Sequence, residues 1–322
     1  RLLLFIAGLT LFFLTISFSG IENIALPDKI SWLPVLGGIL STIFILAILA
    51  ERWRIIVLSI SPDSYIPRGE FYQIIGKTII AGHLIPKEVA DFGGRAIWLI
   101  NKKGLPMIKA GSSILFDRLF DVWVLLITFP TAIIYFNGSL VTTNFLIIIA
   151  IGSLSIIFSP IFFDTVKIMN FIFKSVKNIG FKFINHWVHR KLGSRQENLF
   201  PYLTQVSIAK IILFSIIKFL ILSIRNVLFA LAIFLNIPSD ILIAGTPLSQ
   251  ATFIFSFTAG GLGVLEAGWL AILDLANQDP ILIVNFILAQ RFFTILCDSI
   301  ASISVITFLS LAKKRSNSVQ TL

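Results

Sequence analysis

Charged side chains stand inside runs of this sequence that otherwise read as hydrocarbon. Asp91 and Arg95 lie in "KEVADFGGRAIWLI", and Asp117, Arg118 and Asp121 lie in "SILFDRLFDVWVLL". Glu266 follows a glycine run in "GGLGVLEAGWLAIL", and Arg291 sits in "FILAQRFFTILCDSI". An ionised group in a membrane costs at least ~2.5 kcal/mol, so it marks a pathway or a binding site by default. The chemistry these types offer is anion handling. A guanidinium fork, from Arg118 or Arg291, matches the oxygens of a phosphate or carboxylate. Asp91 and Glu266 would balance those arginines when no ligand is present. Gly260, Gly261 and Gly263 precede Glu266 and would break a helix there, exposing the free N–H groups and positive dipole end that suit an anion.

Secondary candidates are Asp121, Lys218, Arg225 and His83, the last beside a break at Pro86. A structural reading stands beside each functional one. Asp117, Arg118 and Asp121 could form ion pairs that pin helices together. Glu266 could pair with Arg291, and Asp91 with Arg95 or Arg118, which is compatible with transport. Asp298 and Cys297 read as bundle packing, Gly93 and Gly94 as sites of close helix contact, and Lys210 as a lysine snorkelling to the interface. His186 and His189 lie one helical turn apart without an evident third ligand. No catalytic residue, metal site or cofactor is expected.

These residues need a membrane to give them their meaning, and composition supplies it. The 322 residues are 57% hydrophobic and 13% charged, against roughly 25% charged in soluble domains. Mean hydropathy is +0.95. Several stretches reach the ~20 apolar residues that cross a bilayer as a helix. They are far longer than the ~10-residue alternating strands of a barrel. The lone cysteine excludes a disulfide framework. A formal net charge of +10 fits cytoplasmic loops better than nucleic acid, because no aromatic-interleaved basic module lies outside the apolar runs.

The spacing predicts an all-α, polytopic helical membrane protein forming one integral membrane domain over 1–322. Full spans are expected at 2–19, 32–50, 111–136, 145–163, 207–235 and 281–310. A retained helix is expected at 2–19, not a cleaved signal peptide. Residues 51–70, 101–110 and 236–246 read as connections. The basic stretch 165–205 carries apolar residues at helical spacing and reads as an amphipathic connector suited to an anionic leaflet, or equally as a solvated connector with a packed face. Residues 71–100 and 247–276 are broken by glycine and proline. If each enters the membrane and returns, nearly all lysines and arginines fall on the side of the termini, as the positive-inside rule requires. That gives about six spans and two re-entrant hairpins, with both termini cytoplasmic, most simply in the plasma membrane.

The two broken stretches also share a pattern. Aligning Asp91 with Glu266 gives V-x-[DE]-x-G in both, and an arginine (Arg118 or Arg291) follows about 25 residues later, succeeded by an apolar residue and phenylalanine. With opposite entry sides, this predicts an inverted repeat over about 32–136 and 207–310, an architecture that places a transport site near the midplane.

The ordered elements "GHLIPKEVADFGGRAIWL", "SSILFDRLFDVWVLL" and "AGGLGVLEAGWLAIL…AQRFFTILCDSIASI" resemble the transmembrane domain of lysylphosphatidylglycerol synthases, a flippase-like membrane family. The resemblance covers nearly the whole chain. It implies a membrane domain with re-entrant helices that moves lipids or lipid-linked molecules between leaflets. Asp91, Arg95, Asp117, Arg118, Gly260, Gly261, Gly263, Glu266 and Arg291 match its pattern. The synthases carry a cytosolic aminoacyl-transfer domain after the membrane part, which is not expected here. Family members are associated with aminoacylated phospholipids, polyprenyl-linked sugars and hopanoids, so the resemblance leaves the substrate open. The expectation is therefore a non-enzymatic lipid flippase or scramblase-like transporter of an anionic or lipid-linked molecule. The alternative is an accessory subunit of a neighbouring synthase or glycosyltransferase, or such a glycosyltransferase itself.

Overall fold

A computed structural model describes residues 29–62, 66–136, 138, 203–254, 258 and 260–320, with Thr10 and Ile147. Apart from those two residues, the expected spans at 2–19 and 145–163, and almost all of the connector at 165–205, lie outside the described residues, as do His186 and His189. The described chain is helical, in the order α1 (Trp32–Ile60), α2 (Arg68–Leu84), α3 (Lys87–Asp91), a π-helical turn (Phe92–Ala96), α4 (Ile97–Lys103), α5 (Met107–Phe136), α6 (Gln205–Ala232), α7 (Ser239–Ile254), α8 (Val264–Leu275) and α9 (Pro280–Gln320).

Four of these helices are long and apolar enough to cross a membrane: α1, α5, α6 and the Pro280–Lys313 part of α9. The molecule is thus an integral membrane protein. On α1 the exposed Leu33, Leu36, Leu40 and Phe44 recur every three or four residues, the helical stripe that faces lipid. Its other face carries Val35, Leu46, Ala50 and Trp53, all buried. Lipid tails are as apolar as leucine, so close packing and interhelical hydrogen bonds hold such helices together, not exclusion from water.

One order of elements occurs twice. A long helix (α1 or α6) leads to a short helix (α2 or α7), a break, further short helix (α3 to α4, or α8) and a second long helix (α5 or α9). The leading helices α1 and α6 form the most extensive helix pair. They run antiparallel, since the Ser31 N–H donates to Ala232 O at 2.8 Å and Arg52 reaches Ser215. Each short first arm packs on the other half's last helix: α2 on α9, and α7 on α5.

Both breaks have local causes. Ile85 is extended, at φ −133 and ψ 162, as a residue before proline must be, and α3 begins anew after Pro86. The 17 residues of α2, at ~1.5 Å each, fall short of ~30 Å of hydrocarbon. In the other half α7 ends at Ile254, and Gly260, Gly261 and Gly263 take φ 57, 71 and 83, a region open to glycine at little steric cost. Gly94 serves proximity: a Cβ there would stand 2.4 Å from Thr78 Cγ2, so its absence lets the π-helical turn lie against α2.

Two expectations are corrected. The segment 51–70 is not all connection, because α1 continues to Ile60 and keeps "ERWR" helical. Residues 239–246 are the first turns of α7, not loop. Charge in the first case and short polar residues in the second masked helices whose stability comes from tertiary contacts.

Candidate functional site

Apart from the pairs around Glu51 and Glu70, the paired ionic residues gather into three centres among the described residues. The largest joins α1, α3, α5, α6 and the π-helical turn. Arg52, wholly buried, donates from Nε to Asp117 Oδ1 at 2.6 Å and from Nη1 to Asp121 Oδ1 at 2.5 Å. The same Nη1 donates to Ser215 Oγ at 2.8 Å. Asp121 also holds Lys218 Nζ at 2.5 Å. Arg95 links Asp117, at 2.9 Å, to Asp91, at 3.4 Å, and lies 4.5 Å above the Trp53 ring. Arg118 closes the chain on the second oxygen of Asp91. The π-helical turn contributes here: π-bulges recur at functional sites, and this one buries Arg95 among its partners.

A cleft of about 200 Å³ opens on this network, with Lys87, Glu88, Asp91, Arg118, Asp121, Lys218 and Gln250 among its lining. Cleft and network together hold the cations Arg52, Lys87, Arg95, Arg118 and Lys218 against the carboxylates Glu88, Asp91, Asp117 and Asp121, leaving one cation in excess. Asp121 and Lys218 lie about halfway along α5 and α6. Arg118 has the most exposed side chain among the ion-paired cations of this centre, at 30%. A guanidinium has five N–H donors, and Asp91 engages only one of its nitrogens.

The second centre is built on Asp298, which sequence reasoning assigned to packing. Its Oδ1 accepts from Arg225 Nη1 at 2.9 Å and its Oδ2 lies 3.1 Å from His83 Nε2. Arg225 also donates to Thr42 Oγ1 at 3.2 Å. Cys297, by contrast, packs in an apolar cluster with Val35, Phe229 and Phe293.

The third centre is the glycine turn. Glu266, at the third position of α8, accepts through Oε2 from the Gly263 N–H at 2.7 Å, satisfying one orphan donor of the helix start. Its Oε1 lies 3.6 Å from Arg291 Nε, and neither of those two atoms has a hydrogen-bond partner. Arg291 Nη1 donates to Gly260 O at 2.8 Å. A Cβ on Gly260 would stand 2.8 Å from Arg291 Nη2 and 3.4 Å from both Gly82 O and His83 Cα. The two breaks therefore touch.

The pairing suggested by the shared V-x-[DE]-x-G pattern is present twice, as Asp91 with Arg118 and Glu266 with Arg291. Asp117, Asp121 and Lys218 join the first centre, and Arg225 and His83 the second. Sequence reasoning missed Arg52, Lys87, Glu88 and Asp298. The signal for Asp298 was an acid within an apolar span. Arg52 gave none, because its partners lie 65 and 69 residues away.

The family model described as lysylphosphatidylglycerol synthase TM region matches residues 1–302. No curated protein and no solved structure matches the chain significantly. A match across nearly the full length makes this chain a member of the lysylphosphatidylglycerol synthase transmembrane-region family.

Proposed function

We propose that the protein moves an anionic or lipid-linked amphiphile between leaflets, as a flippase or scramblase-like transporter and not as an enzyme. The observation that carries this reading is the cleft, which offers Lys87, Arg118 and Lys218 to an oxyanion at the mid-length of helices that cross the bilayer. At about 200 Å³ it is smaller than the ~300–1,000 Å³ of pockets that enclose whole small molecules. It suits a polar headgroup whose tails remain in lipid. Arg118 would exchange part of its hold on Asp91 for the incoming phosphate.

In this reading the arms on either side of each break are re-entrant hairpins, and the repeated element order is an inverted repeat. The antiparallel pairing of α1 with α6 and the crossed packing of α2 and α7 support it. Irregular backbone at membrane depth is tolerated where it is buried in protein or lines a cavity, and the two breaks meet where Gly260 lies against Gly82 and His83. Both termini face the cytoplasm of a plasma membrane, where the basic segments belong.

The family description, which names the membrane part of a synthase, favours a second reading: an accessory subunit of a neighbouring synthase or glycosyltransferase. Lipids bound to the purified protein separate the two. Transport predicts anionic or lipid-linked species enriched at least threefold over the bulk membrane, and lost from Arg118→Gln. Bound lipids that mirror the membrane in both proteins, with full activity of a co-purifying enzyme, would favour the accessory role.

A further inference from the structure

Among the charged centres, the one around Asp298 lies outside the headgroup cleft, yet it touches the place where the two breaks meet. His83 is the penultimate residue of α2, one residue from the Ile85–Pro86 break. Its Nε2 lies 3.1 Å from Asp298 Oδ2 on α9, and its side chain is 17% exposed. Its own Cα lines the contact with the glycine turn at Gly260. The charged groups around it are Asp298 and Arg291 from α9, Arg225 from α6 and Lys87 from α3. From α1 the neighbour of this centre is the neutral hydroxyl of Thr42. One carboxylate is thus shared between a permanent cation, Arg225, and an imidazole, the side-chain type that serves proteins as a proton switch.

We infer that His83 and Asp298 form a proton-binding site that controls the contact between the two breaks. With His83 protonated, the imidazolium and Asp298 form an ion pair tying the end of α2 to α9, which keeps the Gly82–His83 backbone against Gly260. Separating the breaks would carry a charged imidazolium away from its counterion within the membrane, which is costly. Opening therefore follows loss of the proton from the imidazolium to water, and neutral His83 can leave Asp298 balanced by Arg225. The sign follows directly. The ion pair that ties the breaks together exists only while the imidazole carries its proton, so closure is favoured at low pH and lost as pH rises. On the transport reading, which this coupling rests on, one proton is released and rebound in each cycle of opening and closing.

The test is amide-exchange protection, corrected for intrinsic exchange, of the full chain in lipid nanodiscs between pH 5 and 8. The stretches followed are 82–87 and 260–264, with a remote stretch of α1 as reference. Wild type is expected to lose at least fivefold in protection at both stretches as pH rises, with the α1 reference unchanged. His83→Gln keeps a neutral hydrogen bond to Asp298 and cannot charge, so its protection should change less than twofold over the same range. A wild-type profile flat with pH, or a step that persists in His83→Gln, would overturn the inference. A step confined to wild type, but with no lipid moved at any pH in parallel vesicle assays, would sustain the proton site and defeat the transport reading. Lipid movement with a flat profile would do the reverse.

Discussion

Arg52 is the side chain whose removal most directly tests how the charged core is held. It is fully buried, touching Asp117 at 2.6 Å, Asp121 at 2.5 Å and Ser215 at 2.8 Å. Breaking a buried ion pair by removing one partner costs about 3–5 kcal/mol in soluble proteins, whereas single interhelical hydrogen bonds in a membrane reach at most about 1.7 kcal/mol. After Arg52→Met, Asp117 keeps Arg95 at 2.9 Å and Asp121 keeps Lys218 at 2.5 Å. Each carboxylate retains one cation, so the loss belongs at the lower end of the ion-pair range, about 3 kcal/mol. Reversible unfolding from mixed micelles by a denaturing detergent, followed by tryptophan fluorescence, measures it. The double change Arg52→Met with Asp117→Asn also removes the carboxylate charge that Arg52 met, returning the centre to its original net charge with Arg95 and Arg118 on Asp91 and Lys218 on Asp121, and should recover at least half the loss. A loss below about 1 kcal/mol from Arg52→Met, or no recovery in the double variant, would refute the charge-balance reasoning.

Three further outcomes are expected. Gly94→Ala places a methyl 2.4 Å from Thr78 Cγ2 and should destabilise by about 1–3 kcal/mol; Thr78→Ser removes that methyl group and should restore most of the loss in the same unfolding assay. Gly260→Ala forces φ 57 on a residue with a Cβ, costing about 1–2 kcal/mol, and displaces Arg291, so lipid translocation should fall severalfold more than stability predicts. Glu266→Gln retains an oxygen for the Gly263 N–H, whereas Glu266→Ala leaves that donor unsatisfied, so unfolding should show the alanine variant about 1–3 kcal/mol less stable than the glutamine one.

Much of this arrangement was legible because its causes are local. Pro86 and the Gly260–Gly263 run announce breaks, since proline and closely spaced glycines punctuate helices regardless of what surrounds them. The pairs Asp91–Arg118 and Glu266–Arg291 could be read from a pattern that recurs at nearly the same spacing. Arg52 could not. In "ERWR" it sits between Glu51, which meets Arg54, Arg68 and Tyr72 near the chain's polar connection, and Trp53, so the four residues read as part of that connection. Only the continuation of α1 to Ile60 turns Arg52 inward while Arg68 stays exposed. Asp298 was read as bundle packing, and its ionic partners went unseen for a related reason. Its partners come from α2 and α6, and no spacing within α9 announces them. Long-range pairing decides which intramembrane charges form a site, and one sequence records only the local half of that information.

The central claim, that the charged cleft carries a headgroup across the bilayer, is tested most directly by translocation in vesicles. Purified full-length protein would be reconstituted with fluorescent phosphatidylglycerol, and outer-leaflet label removed by a membrane-impermeant quencher. Wild type should expose the inner-leaflet label at least tenfold faster than protein-free vesicles, and Arg118→Gln combined with Arg291→Gln should return the rate close to that baseline. A wild-type rate equal to that of empty vesicles, for phosphatidylglycerol and for a labelled polyprenyl phosphate alike, would contradict the account.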